Sequence, residues 1–302
     1  MAEAGAALTG VVVASHGRHC LVETADGERV RCHPRGKKAA AADGGVSAGL
    51  PGGVIEQVEP RRNLFYRQDE VRTKSFAANL DQVLVLIAAE PEFSEMQLAR
   101  ALIAAEAERI RPLIALNKSD LVEPFERAWA RLLPYQRMGY GVLPLSLRQS
   151  REVDREHLMR HLDGHTTLVL GPSGAGKSTL VNLLVPSAQA LTGEISQALN
   201  SGRHTTTTTT WYWLDGAHRS GLIDSPGFQE FGLHHIDRMQ LAALMPDLRP
   251  HVANCRFYNC THLHEPGCGV MAAVDQPDGI TASRMRIYGQ LFEELAGAGR
   301  YG

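Results

Sequence analysis

Residues 167–179 read Thr167-Leu168-Val169-Leu170-Gly171-Pro172-Ser173-Gly174-Ala175-Gly176-Lys177-Ser178-Thr179. This stretch decides the fold. Thr167 to Leu170 is a buried-strand run, and Ser178 onward predicts a helix that ends at Pro186. Between them, Gly171 to Ser178 fits GxxxxGK[ST] at every fixed position. Its glycines let the backbone wrap a phosphate chain with N–H groups inward. Lys177 is placed to neutralise the β- and γ-phosphates and counts as catalytic, while the Ser178 hydroxyl is a Mg²⁺ ligand. All nine residues from Gly171 to Thr179 are candidate nucleotide contacts.

Upstream, Leu113 to Leu116 predicts a strand, and Asn117-Lys118-Ser119-Asp120 follows it. At a strand's C-terminal end this motif lies on the edge where such sheets bind ligands. The Asp120 carboxylate can accept from guanine N1–H and the exocyclic amine together, whereas adenine would leave it unpaired. Sites built on such bonds reject the wrong ligand by ~10⁴ or more. Asn117, Lys118 and Asp120 are therefore base-reading candidates, and GTP is favoured over ATP. Ser146, after Val142-Leu-Pro, is the candidate for a second base-contacting loop. Downstream, the strand Gly221 to Asp224 leads into Asp224-Ser-Pro-Gly227. Asp224 is placed to hold Mg²⁺ through water, and Gly227 to give its N–H to the γ-phosphate. Conventional GTPases run P-loop, DxxG, NKxD. Here the base-reading half comes first, so the domain reads as circularly permuted.

Further strands and helices fit a parallel α/β sheet. Leu80 to Ile87 is a buried run, and Ser94 with Gln97 makes a capping box before Leu98, Leu102 and Ala105. The segment before residue 75 differs. Gly10 to Val13, Cys20 to Glu23, Arg29 to Cys32 and Gly53 to Glu56 read as short strands of a small β-barrel. Ala39 to Gly53, rich in Ala and Gly, predicts a mobile loop. Past residue 235 the strands stop, and Ala282 to Leu295 predicts a helix with Ile287, Leu291 and Leu295 on one face.

The chain has 302 residues, 31 Lys/Arg against 33 Asp/Glu, and 44% hydrophobic residues. This suits a soluble globular protein of two or three domains, not a basic coat protein, a polyacidic tail or a disordered chain. Residues 1–75 carry 11 Lys/Arg and 9 Asp/Glu, with Arg31, Arg35, Lys37 and Lys38 forming a basic patch. The longest apolar run, Val83 to Ala89, is far short of the roughly 18 residues of a membrane span. With no basic residue before Arg18, the start does not read as a secretory signal. Five cysteines make no disulfide framework, and three lie between 255 and 268. Cys255, Cys260, His262 and Cys268 suit a closed tetrahedral zinc site of structural type, with His264 as a rival ligand. Cys20 and Cys32 read as small buried residues of the barrel.

The chain resembles the circularly permuted, ribosome-associated GTPases of the RsgA (YjeQ) family. The residues that carry the resemblance are the P-loop, NKSD, Gly202-Arg-His-Thr-Thr-Thr207, Asp224-Ser-Pro-Gly-Phe-Gln-Glu-Phe-Gly232, and the Cys255 to Cys268 cluster. It implies an α/β protein with three units: an N-terminal OB-type barrel over 1–72, a permuted GTPase domain over 73–234 and a zinc-binding helical domain over 235–302. It implies GTP hydrolysis in late maturation of the small (30S) ribosomal subunit, with binding to the subunit and its rRNA and release after hydrolysis. The expected cofactors are one structural Zn²⁺ per chain and Mg²⁺ with GTP. The expected form is a cytoplasmic monomer without membrane attachment. Family members usually have a Gly-Asp-containing strand about where Ala39 to Gly53 stands; none is legible here, so the sequence leaves open whether the barrel closes and makes all of the family's RNA contacts.

Where a glutamine often orients the attacking water, this chain has Phe228. His204 is the candidate replacement, and the resemblance supports it. Thr205 and Thr206 are candidate Mg²⁺ ligands, while the later threonines before Trp211 predict a strand. A γ-phosphate pulling on Gly227 is expected to move the C-terminal unit directly, because that unit follows within about ten residues. Two other functions compete: a P-loop ATPase or small-molecule kinase, and a non-catalytic RNA-binding module.

Overall fold

The computed structural model describes residues 8–16, 19–35, 39–41, 43, 46–49, 53–70, 72–189, 191, 209–225 and 231–298. The buried run after residue 80 becomes β8 (Gln82–Ala88), the centre of a six-stranded layer. Its neighbours are β9 (Arg111–Asn117) and β10 (Gly141–Pro144) on one side, and β11 (Thr166–Leu170), β13 (Gly221–Asp224) and β12 (Thr209–Trp213) on the other. All pairings in this layer are parallel except β12 with β13. Three helices make the crossovers: α1 (Glu95–Ala107), α2 (Val122–Arg137) and α3 (Arg151–Leu162). A strand buried on both faces reads as a continuous apolar run. Accordingly Val83, Val85 and Ile87 join the core under α1 and α2, while Leu84, Leu86 and Ala88 join the core under α3 and α4 (Lys177–Leu184). The Ser94 cap is present, its hydroxyl accepting from Gln97 N at 3.3 Å.

The barrel closes, and Ala39 to Gly53 is not simply the loop that its composition predicts. Within that stretch Val46–Gly49 forms β4. It pairs antiparallel with β1 (Leu8–His16) and with β5 (Val54–Gln57). With β2 (His19–Thr24) and β3 (Arg29–Pro34), the circuit β1-β2-β3-β5-β4-β1 closes, as in an OB barrel. Val-Ser-Ala-Gly has only Val46 among the branched and aromatic residues that announce a strand. Pairing on both edges supplies what propensity does not. Cys20 and Cys32 face each other in register and are buried with Val12, Val22 and Ile55. Burial raises both thiols, Cys20 to about 12, so they are inert filler as expected.

A hairpin of β6 (Leu64–Gln68) and β7 (Thr73–Ala78) joins the barrel to the large sheet. The barrel is also bonded to that sheet directly. Ala14 and Ser15 of β1 pair with Thr210 and Thr209 of β12, and Trp213 Nε1 donates to Glu23 at 2.6 Å. The C-terminal unit comprises a 3-10 helix (Arg238–Leu244), α5 (Arg249–Val252), α6 (Gly269–Ala272) and α7 (Ala282–Ala298). Polar side chains of α1 fasten it: Glu95 to Ser283, Arg100 to Glu294, and Glu106 to Arg249. Ile287, Leu291 and Leu295 are buried, as their spacing predicts.

The path out of the Asp224 strand differs from the simple expectation. Before entering the C-terminal unit, residues 231–234 dock on β6. Gln68 N donates to Gly232 O at 3.1 Å and His234 N donates to Gln68 O at 3.0 Å. A Cβ on Gly232 would lie 2.4 Å from Gln68 O, so only glycine permits this approach. Phe231 packs between Phe65 and Phe76, and Arg100 donates to its carbonyl at 3.3 Å. Residues 231–234 thus anchor the chain on the hairpin ahead of the C-terminal unit.

Asp43 is the buried hinge pin of the barrel. Its side chain is fully buried, accepts from Ala40 N at 2.6 Å, and pairs with Arg61 through both oxygens at 2.6 and 2.8 Å. Removing one partner of a buried pair typically costs about 3–5 kcal/mol. Arg61 is a quarter exposed, so a lower value follows for this pair. We expect Asp43→Ala to lower the barrel's stability by about 2–3 kcal/mol. Chemical denaturation followed by a barrel-specific probe checks this; an unchanged midpoint refutes it.

Candidate functional site

The P-loop stands where the sequence puts it, between β11 and α4. Gly176 caps the helix at φ 103° and Gly174 has φ 82°, both in the left-handed region. Space also demands Gly176, since a Cβ there would lie 2.5 Å from Asn117 Nδ2. Lys177 reaches across the loop and forms an ion pair with Asp224 at the end of β13. Both side chains are largely buried, so in this state the lysine's charge is balanced within the protein. Asp224 stands beside β11 in register with Val169, and Ser225 Oγ ties the strand end down by donating to Val169 O at 3.0 Å. The Ser178 hydroxyl is exposed in the first turn of α4.

Asn117 ends β9 and is 5% exposed. Its Nδ2 donates to Ala175 O of the P-loop at 2.9 Å. Its Oδ1 accepts from Lys118 N at 2.8 Å and from Leu147 N at 3.2 Å. Lys118 turns at φ 70° and its ammonium donates to the Glu90 carbonyl. Asp120 Oδ1 accepts from Ser146 Oγ at 2.7 Å, and Oδ2 from Gln149 Nε2 at 3.4 Å. A cavity of about 300 Å³ lies among these groups, lined by Asn117, Lys118, Asp120, Leu121, Arg148, Gly174, Gly176 and Thr179. That is the lower end of the range for ligand pockets.

Three elements thus bring NKSD, the P-loop and Ser146 together, with Asp224 adjoining through Lys177. His204, Thr205, Thr206, Gly227 and Phe228 lie outside the described residues. The later threonines fall as expected, Thr209 and Thr210 opening β12. Sequence reading did not single out Arg148, which lines the cavity, or Gln149 and Asp154, which bond to the base-reading groups. Asp154 Oδ2 accepts from Ser146 N at 2.6 Å. Burial pushes its carboxyl above the ordinary carboxylate range, and the Ser146 N–H partly offsets this. An acid in a helix's first turn is common enough that it gave no signal of this contact.

The second cluster is a candidate metal centre. One ligand atom from each of Cys255, Cys260, His262 and Cys268 lies within 4.8 Å of the others. Cys255 Sγ is 3.9 Å from Cys268 Sγ and 3.4 Å from His262 Nδ1, which is 3.5 Å from Cys268 Sγ. Tetrahedral bonds of zinc length give edges of about 3.8 Å between sulfurs and about 3.6 Å from sulfur to nitrogen. The donor set fits. His264 is exposed and outside the cluster. Glu265 binds the loop from within, accepting from Thr261 N at 2.8 Å and from His264 N at 3.3 Å. Among the described residues, no helix is long and apolar enough to cross a membrane.

A nucleotide-type P-loop on β11, with a base-reading motif on the earlier strand β9, defines a circularly permuted P-loop GTPase fold, here carrying a barrel and a Cys₃His cluster. A family model described as "RsgA GTPase" matches residues 58–234. A Variovorax paradoxus protein named "Small ribosomal subunit biogenesis GTPase RsgA" is 71% identical over 293 residues, 95% of this chain and 92% of that one. One of the same name from Paraburkholderia phytofirmans is 53% identical over 296 residues, 95% of this chain and 93% of that one. Among solved structures, YjeQ from Thermotoga maritima aligns with TM-score 0.72 and 29% identity over 96% of this chain and 99% of its own. YloQ, described as a circularly permuted GTPase, aligns with TM-score 0.71 and 23% identity over 98% of both chains. The chain belongs to the RsgA GTPase family.

Removing the metal should loosen residues 255–268 first, because all four ligands lie there. We expect a chelator to raise amide hydrogen exchange in that segment by tenfold or more, while β8, β9 and β11 keep their protection. Equal loosening of the large sheet contradicts a local structural role.

Proposed function

We propose that this chain hydrolyses GTP during late maturation of the small ribosomal subunit, binding the subunit and its rRNA and leaving after hydrolysis. The observation that carries the reading is the Asp120 carboxylate, held by Ser146 beside a P-loop in one cavity. Guanine offers two donors to such a carboxylate, whereas adenine presents an acceptor at N1. The names of the relatives support the ribosomal partner, and the basic Arg31 and Arg35 on the barrel suit contact with a polyanion.

In this reading the P-loop amides and Lys177 hold the β- and γ-phosphates. Asp224 would help hold Mg²⁺ through water when nucleotide is bound, its ion pair with Lys177 then giving way. Ser178, Asp224 and one of Thr205 or Thr206 are hard oxygen donors that suit Mg²⁺, which neutralises charge developing on the phosphates. Gly227 donates its N–H to the γ-phosphate, and His204 orients the attacking water in place of the glutamine whose position Phe228 fills. The Cys₃His cluster takes one Zn²⁺ with no open position, so its role is structural. The three units run over 1–72, 73–234 and 235–302, with the β6–β7 hairpin spanning the first junction. The protein is a cytoplasmic monomer. Titration with GTP and ATP side by side, then turnover with and without small subunits, tests the reading against an ATPase and against a non-catalytic RNA-binding module. Equal affinity for both nucleotides, or no turnover with subunits, overturns it.

Asp120→Asn replaces an acceptor with an amide whose donor faces guanine N1–H. GTP affinity should drop sharply, and xanthosine triphosphate should become the better ligand in a binding titration; unchanged GTP affinity refutes the assignment. His204→Ala should slow subunit-stimulated hydrolysis on the order of 10² or more, with little change in nucleotide affinity. Orientation of water acts in the transition state and not in ground-state binding. Equal stimulated rates would exclude His204.

A further inference from the structure

The loop that contacts Asp120 is gripped from beneath by a carboxylate that the phosphate chemistry does not use. Asp154 sits in the first turn of α3 and is 6% exposed. Both main-chain polar atoms of Ser146 are occupied: its N–H by Asp154 Oδ2 at 2.6 Å, its C=O by Gln149 N and Ser150 N at 3.0 and 2.9 Å. Asp154 is fixed in turn, because its own N–H donates to Ser150 O at 2.8 Å. With its peptide clamped on both sides, Ser146 presents its hydroxyl from a fixed backbone in a defined direction. That direction is Asp120 Oδ1, at 2.7 Å.

We infer that Asp154 is a positioning residue for base selection, holding the Ser146 peptide so that its hydroxyl orients the Asp120 carboxylate toward the purine edge. The inference rests on the reading of Asp120 as the group that reads the base. A buried acid is costly to keep without a task. Its burial raises its proton affinity, while the hydrogen bond from Ser146 N–H and the nearby His157 work in the opposite direction. Taking the acceptor away leaves a buried amide without a partner, and the loop must shift to hydrate it. A tilted Asp120 still fits beside a purine but no longer meets two donors at once. The loss then falls on the interaction with the 2-amino group.

The test uses the full chain and four nucleotides: GTP, inosine triphosphate, which lacks the 2-amino group, ATP and, for the Asp120 arm, xanthosine triphosphate. Asp154→Leu should weaken GTP on the order of tenfold and bring the ratio of GTP to inosine triphosphate affinity toward one, with ATP unchanged. Asp154→Asn keeps an acceptor at the same place and should hold that ratio within about threefold of the parent. A purely structural residue would lower the melting temperature without moving the ratio. Should Asp154→Leu fail to fold, Asp154→Glu drives the acceptor one methylene into the Ser146 peptide and carries the same expectation. A parental ratio in whichever of these folds overturns the inference. So does a collapse in Asp154→Asn as deep as that in Asp154→Leu. Asp120→Asn runs alongside: if it does not shift preference toward xanthosine triphosphate, the base reading falls and takes the inference with it. If it does shift and the Asp154 variants keep the parental ratio, only the inference falls.

Discussion

A single buried amide holds the nucleotide site in shape. Asn117 reaches the P-loop through Ala175 O, its own turn through Lys118 N and the third loop through Leu147 N. Those three segments are far apart in the chain, and each ends or begins a different strand. Every polar bond is made inside the protein, where an unmade one costs about 1–3 kcal/mol. The tether works only because Gly176 has no side chain in its way. The cavity is therefore shaped before any ligand arrives, which reduces the ordering that binding must impose.

Permutation places the seam of the sheet between β8 and β11. These two strands sit side by side in the middle of the layer, in register from Gln82 with Thr167 to Val85 with Leu170. Gln82 is buried there and bonds to Thr167 Oγ1 and to His161 O, both at 2.9 Å. The half that carries NKSD and the half that carries the P-loop are joined by this pairing and by Asn117. One chain end of the nucleotide unit leads through the hairpin to the barrel, and the other docks on that hairpin before entering the helices. Both appendages thus touch the same short ribbon, which the cut-and-rejoin order makes possible.

Much of this was legible in the residues. The P-loop, NKSD and the strand before Asp224 are local signals, each requiring particular side chains at fixed spacing, and each lies where that spacing puts it. The Cys₃His set was legible for the same reason, and only the choice between His262 and His264 needed the fold, since spacing cannot say which ring turns inward. What escaped was whatever depends on partners distant in sequence. β4 is Val-Ser-Ala-Gly, and its strand state is imposed by β1 and β5. The β6–β7 hairpin is hard to read because its charged residues hide the alternation, and Phe65 and Phe76 pack on each other and on Phe231, which lies far along the chain. Asp154 carries no local signal, since an acid in a helix's first turn is common and its partner, Ser146, lies in the loop that precedes α3.

The ladder between β1 and β12 has a consequence for association. An open strand edge is a template for any extended chain, and β12 would otherwise offer one immediately beside the threonine-rich segment. The protein's own barrel occupies that edge at Ala14 and Ser15. At the opposite end of the layer, β10 is four residues long and closes with Pro144, which has no N–H to donate. The large sheet is thereby a poor surface for strand addition at both ends. Partners must meet it through side chains and loops, and the chain can expose its working loops at high concentration with little tendency to polymerise through its sheet.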